Sequence, residues 1–339
     1  MLIAVDAMGG DFAPKEPCEA AILACKKNKN LNLALVGDTE KIKPFLEKAD
    51  SNVRSRIDIV HAEEVISFDD SPSISIRKKK KSSLVVAFNM VRSGEADGVV
   101  SSGSTGAIAA GAVLLLGRIP GIDRPGLGVA TPFENRTTLI MDVGGTVHCK
   151  PINLYQFALM GSIYMKLFYN VENPSVKLLC NGVEDIKGDE VISAARDMLL
   201  ASNINYEGYA EGTDIPKGIA DVVICDGFTG NALLKFGEGL GELIKRQFKE
   251  EFKHHTLPKI GLIFMWPAIR RIMARFEWEK YGGLPFLGVN GSVVKVHGRS
   301  KANALFYAIN GTANFINNKG VGRIREELER KNGQDGTLC

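Results

Sequence analysis

The chain lacks the features that mark several common classes of protein. Its six cysteines form no Cys-x-x-Cys pair and no cysteine–histidine cluster with metal-ligand spacing, so we expect no metal site and a reducing, cytoplasmic environment. Aromatic residues make up only 7% and the net charge is +3, which argues against a nucleic-acid partner. There is no GxGxxG fingerprint and no phosphate-binding loop ending in Gly-Lys, so no nucleotide cofactor is expected.

Long apolar runs are also missing. No stretch reaches the roughly 18 residues that a membrane-spanning helix needs, and the apolar start turns polar at Asp6, too early for a secretory signal. The composition, 45% hydrophobic and 24% charged, is typical of a protein with a large core. We expect one α/β catalytic domain, with one or two lobes, over residues 1–330 and a disordered tail over 331–339.

Short apolar runs that end in turns rich in glycine and aspartate recur along the chain. Examples are residues 2–5, 138–141 and 221–225, and helical patterns such as 154–168 lie between them. This alternation predicts a mostly parallel sheet with helices on both faces. Ligands of such sheets bind at the carboxyl ends of the strands, which is where these turns fall.

The most informative turn is Asp-Gly-Phe-Thr-Gly-Asn at 226–231, between a predicted strand and a helix expected from Ala232. A strand that passes through a glycine-rich turn into a helix presents free N–H groups and a positive helix end to an anion. We expect Thr229 and Asn231 to contact that anion. Asp226 is expected to act at the catalytic centre, by orienting a cation such as Lys187, or to cap the turn.

Three other strand-end turns have the same character, because glycine lets a ligand approach the backbone closely. Their expected contacts with a substrate or phosphate are Asp6, Gly9, Gly10, Asp11, Gly103, Ser104, Thr105, Gly106, Asp142, Gly144 and Lys150. His297, at the end of a strand-like run, is a further candidate. Tight βα turns, Asx turns and helix caps explain these residues nearly as well.

Lys187 lies among four acidic residues in the loop 181–190. A solvated loop is the ordinary interpretation of such a lysine. The alternative is a lysine that binds phosphate or protonates a leaving group.

The segment 250–280 is predicted to form a protruding hairpin. Within it, residues 257–276 carry four cations and no acidic residue around an apolar centre, which is typical of a peripheral contact with an anionic membrane. A dimer interface or a core hairpin is the alternative. The residues expected to contact the membrane are Ile260, Leu262, Ile263, Phe264, Trp266 and Ile269.

Taken together, these turns resemble those of the PlsX family, the acyl-ACP:phosphate acyltransferases of bacterial phospholipid synthesis. The resemblance extends from the first strand to about Arg325 and rests on four stretches. They are Ala-Val-Asp-Ala-Met-Gly-Gly-Asp (4–11), Cys-Asp-Gly-Phe-Thr-Gly-Asn (225–231), Tyr-Gly-Gly (281–283), and Leu-Gly-Val-Asn-Gly (287–291) with the following His297 and Gly298. The chain departs from the usual family pattern at Ser104, at Gly145-Thr146 and at His148.

The resemblance implies a fold like that of isocitrate and isopropylmalate dehydrogenases and of phosphate acetyltransferase, and a homodimer. It implies that acyl-ACP and inorganic phosphate give acyl phosphate, which feeds a membrane glycerol-3-phosphate acyltransferase, and that the protein associates with the inner face of the membrane. Phosphate is itself a nucleophile, so the reaction needs no nucleophilic side chain, only groups that stabilise charge and help the thiol to leave. Lys187 and Asp226 are the residues predicted to do this. A phosphate acetyltransferase-like enzyme acting on acyl-CoA, an isopropylmalate-type dehydrogenase and a membrane-bound scaffold stay open as alternatives.

Overall fold

The computed structural model describes residues 1–182, 189–254, 264–271 and 283–334. The elements of the first part are β1 (Leu2–Asp6), α1 (Lys15–Lys27), β2 (Asn32–Gly37), α2 (Thr39–Leu46), α3 (Ser51–Arg54), β3 (Ile57–His61), α4 (Pro72–Lys78), α5 (Ser83–Ser93), β4 (Gly98–Ser101), α6 (Thr105–Gly111), a π-helical turn (Ala112–Leu116), β5 (Gly126–Pro132) and β6 (Thr137–Met141). Those of the second part are α7 (Pro151–Tyr169), β7 (Val176–Leu179), α8 (Glu190–Leu200), β8 (Tyr206–Ala210), a 3-10 turn (Ile215–Lys217), β9 (Val222–Ile224), α9 (Gly227–His254), α10 (264–271), β10 (Leu284–Leu287), β11 (Ser292–Lys295), α11 (Ala302–Asn317) and α12 (Gly320–Gln334).

The strands of the described residues form one sheet in the order β3-β2-β1-β4-β11-β10-β5-β6-β9-β7-β8. Neighbours from β3 to β11 are parallel, and so are those from β6 to β8. The three pairings between them, β11–β10, β10–β5 and β5–β6, are antiparallel. Three reversals in succession make the two parallel groups run in opposite directions.

Two ends of the sheet therefore carry strand-end turns. We call the end where β1, β4 and β11 finish the β1 end, and the end where β6, β9 and β7 finish the β6 end. The prediction of a mostly parallel sheet with helices is confirmed. The sequence patterns did not indicate β3, β5, β8 or β10. Because the antiparallel pairings of β10 and β5 reverse the strand direction, a prediction that lacks these two strands places all the strand-end turns at one end of the sheet.

Helices cover both faces of the β1 half of the sheet. On one face, alternate residues of β1, β4 and β11 pack with α1 and α11. On the other, the intervening residues pack with α5 and α6, and Leu233 and Leu234 of α9 lie against the same apolar cluster. In the β6 half, α7, α8 and α12 cover buried residues of β6, β7 and β9.

Two expectations about helix boundaries need correction. Helix α9 begins at Gly227, not at Ala232, because the Asp226 carboxylate accepts from the N–H groups of Phe228 and Thr229 and so caps the helix early. Helix α12 continues to Gln334, through four residues of the predicted tail, since Lys331 and Gln334 are good helix formers on either side of Asn-Gly. Residues 335–339 lie outside the described residues.

Candidate active site

Three polar side chains form a row across one face of the sheet at the β1 end. They are Asp6, Ser101 and Lys295, the last residues of β1, β4 and β11. Ser101 is the register partner of Lys295, and its hydroxyl donates to Asp6 Oδ2 at 2.7 Å. Adjacent strands lie about 4.8 Å apart, so the row spans three strands. It lies on the α5 face, because Val99 and Val293, two residues earlier, belong to the cluster under α5.

Asp6, at one edge of the row, accepts hydrogen bonds from the neighbouring strand and from α5. Its carboxylate is buried and accepts from Ser101, from the backbone N–H of Met8 at 3.2 Å and from Ser83 at the start of α5. Burial raises the pKa of Asp6, and the hydrogen bonds, that of Ser83 first, oppose the rise. Ser101 in turn accepts from the N–H of Gly103 at 3.0 Å. This geometry favours an orienting role for Asp6, and its predicted contact with substrate stays a prediction.

The turns after β1, β4 and β11 pack against one another beside this row. The N–H of Asp11 donates to the carbonyl of Gly298 at 2.9 Å, and the Ser102 hydroxyl donates to that of Gly9 at 2.8 Å. Gly10 has φ +91°, and a Cβ there would lie 2.6 Å from Ser102 Oγ. Glycine is required at this position by both its conformation and the close approach. The structure thus brings Gly9, Gly10, Asp11 and Gly103 together, and their predicted contacts with substrate or phosphate stay predictions.

Ser104 and Thr105 lie at the start of α6, in the same group of turns. Ser104 occupies the N-cap position, but its side chain makes no capping hydrogen bond. Gly106 packs against Pro72, from which a Cβ would be 2.7 Å away. The predicted contacts of Ser104, Thr105 and Gly106 with a ligand stay predictions.

Lys295 is the unexpected member of the site. Its side chain is half-buried, and no described residue makes an ion pair or a hydrogen bond with its ammonium group. Burial lowers the pKa of Lys295 to about 8, and the positive charge of Lys235 on α9 adds to this while Glu238 opposes it. A half-buried ammonium that is close to a second lysine and makes no ion pair among the described residues is suited to bind an anion.

Further basic groups follow β11. Burial lowers the pKa of His297, with Lys295 as the next cause, so that the imidazole is neutral at pH 7. His297 Nδ1 accepts from the N–H of Arg299 at 3.2 Å. One ion pair of the described residues links this region to α9, since Arg299 Nη1 lies 3.9 Å from Glu242 Oε1. Within α9 itself, Lys235 donates to Glu238 at 2.7 Å. His297, a predicted anion contact, therefore lies among cations.

A buried hydroxyl without a partner lies in the same loop. Ser300 is 4% exposed, its backbone N–H donates to the carbonyl of His297 at 2.9 Å, and its Oγ has no hydrogen-bond partner among the described residues. Leaving such a group unpaired costs roughly 1–3 kcal/mol, which a ligand oxygen would recover. Lys295 is not among the candidates from the sequence, because a lysine at a strand end carries no distinctive motif.

At the β6 end, Asp142 organises a turn of a different kind. Its side chain is fully buried and accepts from the N–H groups of Leu127 at 2.9 Å, Gly144 at 3.1 Å, Gly145 at 2.8 Å and Thr146 at 2.5 Å. Burial raises the pKa of Asp142, and these four hydrogen bonds oppose the rise. The carboxylate is thereby occupied in holding the turn, which favours a structural role; the predicted ligand contacts of Asp142 and Gly144 stay predictions.

The turn at 226–231 is likewise closed by hydrogen bonds. Asp226 Oδ1 accepts from the N–H groups of Phe228 and Thr229, both at 2.9 Å, and Oδ2 accepts from the Thr229 hydroxyl at 2.6 Å. The N–H of Gly227 donates to the Thr146 carbonyl, and that of Gly230 to the Asp226 carbonyl. The N–H groups expected to be free for an anion are therefore engaged within the chain. Of the two roles considered for Asp226, the geometry supports the cap.

Gly230 is required by close packing. A Cβ there would lie 1.9 Å from the Asp142 carbonyl oxygen, so the start of α9 rests directly on the Asp142 turn. Asn231 is exposed next to Gly144. Helix α9 then runs from the β6 end towards the β1 end, and Lys235 lies about 12 Å along its axis from Gly227.

The cysteines of this region are not activated. Burial raises the pKa of Cys149 to about 12 and that of Cys225 well above its ordinary value, and the nearby Asp142 and Asp226 add to both shifts. Both thiols are thus protonated at neutral pH and poor nucleophiles. The interpretation of Cys225 as a small buried hydrophobic residue is confirmed.

The remaining predicted residues are more scattered. Lys150 lies at the start of α7 and contributes to the lowered pKa of Asp123, of which the hydrogen bond from Asn153 is the main cause. Phe264 and Trp266 are exposed on α10, and Ile269 is half-buried. None of the described helices is long and apolar enough to cross a membrane. Lys187, Ile260, Leu262 and Ile263 lie outside the described residues.

The family described as "fatty acid synthesis protein" matches residues 1–323. The chain belongs to this family. Two curated relatives are named phosphate acyltransferase. The protein of Pelotomaculum thermopropionicum is 44% identical over 97% of this chain and 95% of its own, and that of Thermoanaerobacter pseudethanolicus is 40% identical over 97% and 98%. The resemblance to the PlsX family is confirmed.

Solved structures share the fold of this family member. A phosphotransacetylase from Streptococcus pyogenes superimposes with a TM-score of 0.62, covers 94% of each chain and is 16% identical. At that identity the likeness concerns the fold alone. The expected similarity to isocitrate and isopropylmalate dehydrogenases stays a prediction.

Proposed function

We propose that this chain transfers a fatty acyl group from acyl-ACP to inorganic phosphate, giving acyl phosphate and free ACP for phospholipid synthesis. The observation that supports the proposal is the Lys295 ammonium, which has no ion-pair partner among the described residues, is influenced by the charge of Lys235 and lies beside three glycine-containing turns. Cations and close-lying backbone suit a small, doubly charged anion. Family membership makes phosphate the expected anion.

The chemistry needs little from the protein beyond binding and charge stabilisation. Phosphate is a nucleophile at neutral pH, so the protonated Cys149 and Cys225 are not required to attack. In our proposal Lys235, Lys295 and Ser300 hold the phosphate, and Ser104 and Thr105 face the oxyanion that forms on the acyl carbon. One well-placed oxyanion donor is typically worth about 3 kcal/mol of barrier.

Helix α9 supports the proposal of a homodimer. Its residues Phe236, Leu240, Ile244 and Phe248 are all exposed and recur every four residues, so they form one apolar stripe. An apolar stripe of this kind on a long helix suits pairing with the same helix of a second copy. The dimer would shield the stripe from water.

The membrane contact is proposed for the segment beyond α9. Phe264 is 81% and Trp266 51% exposed, and Arg270 and Arg271 on the same helix are exposed cations. Exposed aromatic side chains beside arginines suit insertion into an anionic bilayer surface. Docking there would place the enzyme at the inner face of the membrane, near the glycerol-3-phosphate acyltransferase that consumes acyl phosphate.

The test is an assay of acyl-ACP consumption with and without inorganic phosphate. We expect acyl phosphate, trapped with hydroxylamine as a hydroxamate, to form only when phosphate is present, and anionic vesicles to co-sediment with the protein. Acyl-CoA in place of acyl-ACP separates this function from that of a phosphate acetyltransferase-like enzyme. Efficient turnover of acyl-CoA but not of acyl-ACP, or no phosphate-dependent product from either, would contradict the proposal.

A further inference from the structure

The position of Lys295 suggests more than phosphate binding. It ends β11 on the α5 face, in register with Ser101, whose hydroxyl bonds to Asp6. On this side of the sheet Leu233 and Leu234 pack α9 against the core, and the charges of Lys235 and Glu238 on this helix are close enough to Lys295 to shift its pKa. The ammonium has no carboxylate or hydrogen-bond partner among the described residues, while Lys235 is paired with Glu238 at 2.7 Å. Of these two lysines, Lys295 alone is free to interact fully with a reacting group.

We propose that Lys295 is the acid of the reaction and gives its proton to the sulfur of the departing carrier thiol. The inference rests on the proposed function and adds to it the residue that lets the thiol leave. Lys187, the candidate from the sequence, is the rival for this role.

The surroundings of Lys295 suit this role. Proton transfer is most effective when donor and acceptor have similar pKa values, and an ordinary alkyl thiol has a pKa of about 8.5. Burial and Lys235 bring the pKa of Lys295 to about 8, so that it is mostly charged at pH 7 and yet releases a proton to a thiolate without a large cost. An exposed lysine, with a pKa of about 10.4, would be a poorer donor to the same thiolate.

The proposed step is balanced without a further reactant. An oxygen of the phosphate dianion HPO₄²⁻ attacks the thioester carbon, and the tetrahedral intermediate collapses with cleavage of the C–S bond. The sulfur takes a proton from the Lys295 ammonium. The neutral amine then takes the remaining proton of the newly formed acyl phosphate monoanion, which leaves as a dianion. Thioester and HPO₄²⁻ have become acyl phosphate dianion and thiol, and Lys295 is again charged.

The neighbouring groups have separate duties in this scheme. Lys235 is oriented by its hydrogen bond to Glu238 and holds the phosphate. His297 is neutral at pH 7 and accepts from the Arg299 N–H, so it is not the proton donor. The charged or titratable groups around Lys295 are Lys235 and Glu238 on α9, His297 and Arg299 after β11, and Asp6 on β1.

The test compares two acyl donors in the full-length Lys295→Met protein. With acyl-ACP, whose leaving group is an alkyl thiol, we expect kcat to fall about 10²–10⁴-fold. With an aryl thioester of the same acyl group, whose acidic thiol needs no proton, we expect the loss relative to wild type to be at least tenfold smaller. Lys295→Arg should also fail with acyl-ACP, because a guanidinium keeps its proton. Lys41→Met, a change of an exposed lysine on α2, is the matched control and should match wild type with both donors.

Several results would overturn the inference. Near-normal turnover of acyl-ACP by Lys295→Met, or an equal loss with both donors, would show that Lys295 is not the acid. A donor-dependent loss in Lys187→Met but not in Lys295→Met would assign the role to Lys187. Circular dichroism and thermal unfolding of Lys295→Met check that the fold is intact. If the wild-type protein itself forms no acyl phosphate, the proposed function fails, and this inference fails with it.

Discussion

The turns at the two ends of the sheet have similar sequences, rich in glycine and aspartate, but differ in whether their polar groups are hydrogen-bonded within the chain. At the β6 end, the Asp142 and Asp226 carboxylates accept from the N–H groups of their own turns, and the polar groups of those turns are satisfied within the chain. At the β1 end, Asp6 is also satisfied, but the Lys295 ammonium and the hydroxyl of Ser300, in the loop after β11, have no partner among the described residues. Glycine and aspartate after a strand therefore do not distinguish a closed turn from a ligand site.

The distinction depends on whether each buried polar group has a hydrogen-bond partner within the chain. Buried polar groups in folded proteins are almost always paired, so an unpaired one indicates a place where a ligand completes the structure. The Asp142 and Asp226 turns at the β6 end pair their N–H groups and gain stability. At the β1 end, Lys295 and Ser300 have no partner among the described residues, which gives up stability and is expected where function requires an anion.

The largest effect is expected at the β6 end, from Asp142→Ala. This change leaves the N–H donors of four residues without their acceptor, and two of them, those of Leu127 and Thr146, are in buried hydrogen bonds. Each buried donor left unsatisfied costs roughly 1–3 kcal/mol. We expect the free energy of unfolding, measured by urea denaturation, to fall by about 3 kcal/mol or more. A variant with unchanged stability but no activity would instead make Asp142 part of the site.

At the β1 end, Lys295→Met is expected to change stability in the opposite direction. The lowered pKa means that folding disfavours the charged lysine, so its removal should raise the free energy of unfolding at pH 7 by up to about 3 kcal/mol. The gain should be constant below pH 8, decline as the pH rises from about 8 to 10.5, and vanish above that, where the lysine is neutral in both states. Urea denaturation at pH 7 and pH 10.5 measures it.

A loss of stability in Lys295→Met at pH 7 would contradict this explanation, because it would mean that the charged lysine has a stabilising partner. Lys41→Met is again the control. Its side chain is exposed and makes a surface ion pair with Asp38 at 3.2 Å, so the stability of this variant should stay within about 1 kcal/mol of wild type at both pH values.

The smallest effect is expected for Asp226. Asp226→Ala removes the N-cap of α9 and should cost about 1 kcal/mol. Asp226→Ser keeps a capping oxygen and should recover most of that stability together with the activity. A stable but inactive Asp226→Ser protein would restore the catalytic role that the sequence suggested and weaken the contrast between the two ends.

Much of the fold was predictable from local pattern. The strands at 2–5, 138–141 and 221–225 and the helix at 154–168 were recognised, because apolar runs and helical periodicity report burial directly. The start of α9 was misplaced by five residues, since glycines at 227 and 230 usually signal a turn. In this fold they allow the helix to lie against the Asp142 carbonyl, a contact between distant parts of the chain.

The site was only partly predictable. The glycine turns at 9–10 and 103 were identified and do lie together, because β1 and β4 are adjacent and parallel. Lys295 was missed, since its meaning depends on β11 lying next to β4 and on α9 crossing the same face. No local pattern encodes which strands become neighbours.

The sequence by itself determined the family, the α/β class and the set of strand-end turns, because short-range patterns of apolar residues, glycine and aspartate suffice for these. Only the tertiary structure decided which turns are closed and which are open. Three successive antiparallel pairings place the turns at two ends of the sheet. Within the described part of the chain, hydrogen bonds close the Asp142 and Asp226 turns at one end, whereas Lys295 and Ser300 have no partner at the other. Those pairings join residues far apart in the chain. Which turns share one end of the sheet, and which polar groups find partners there, is therefore fixed only when the whole sheet has formed.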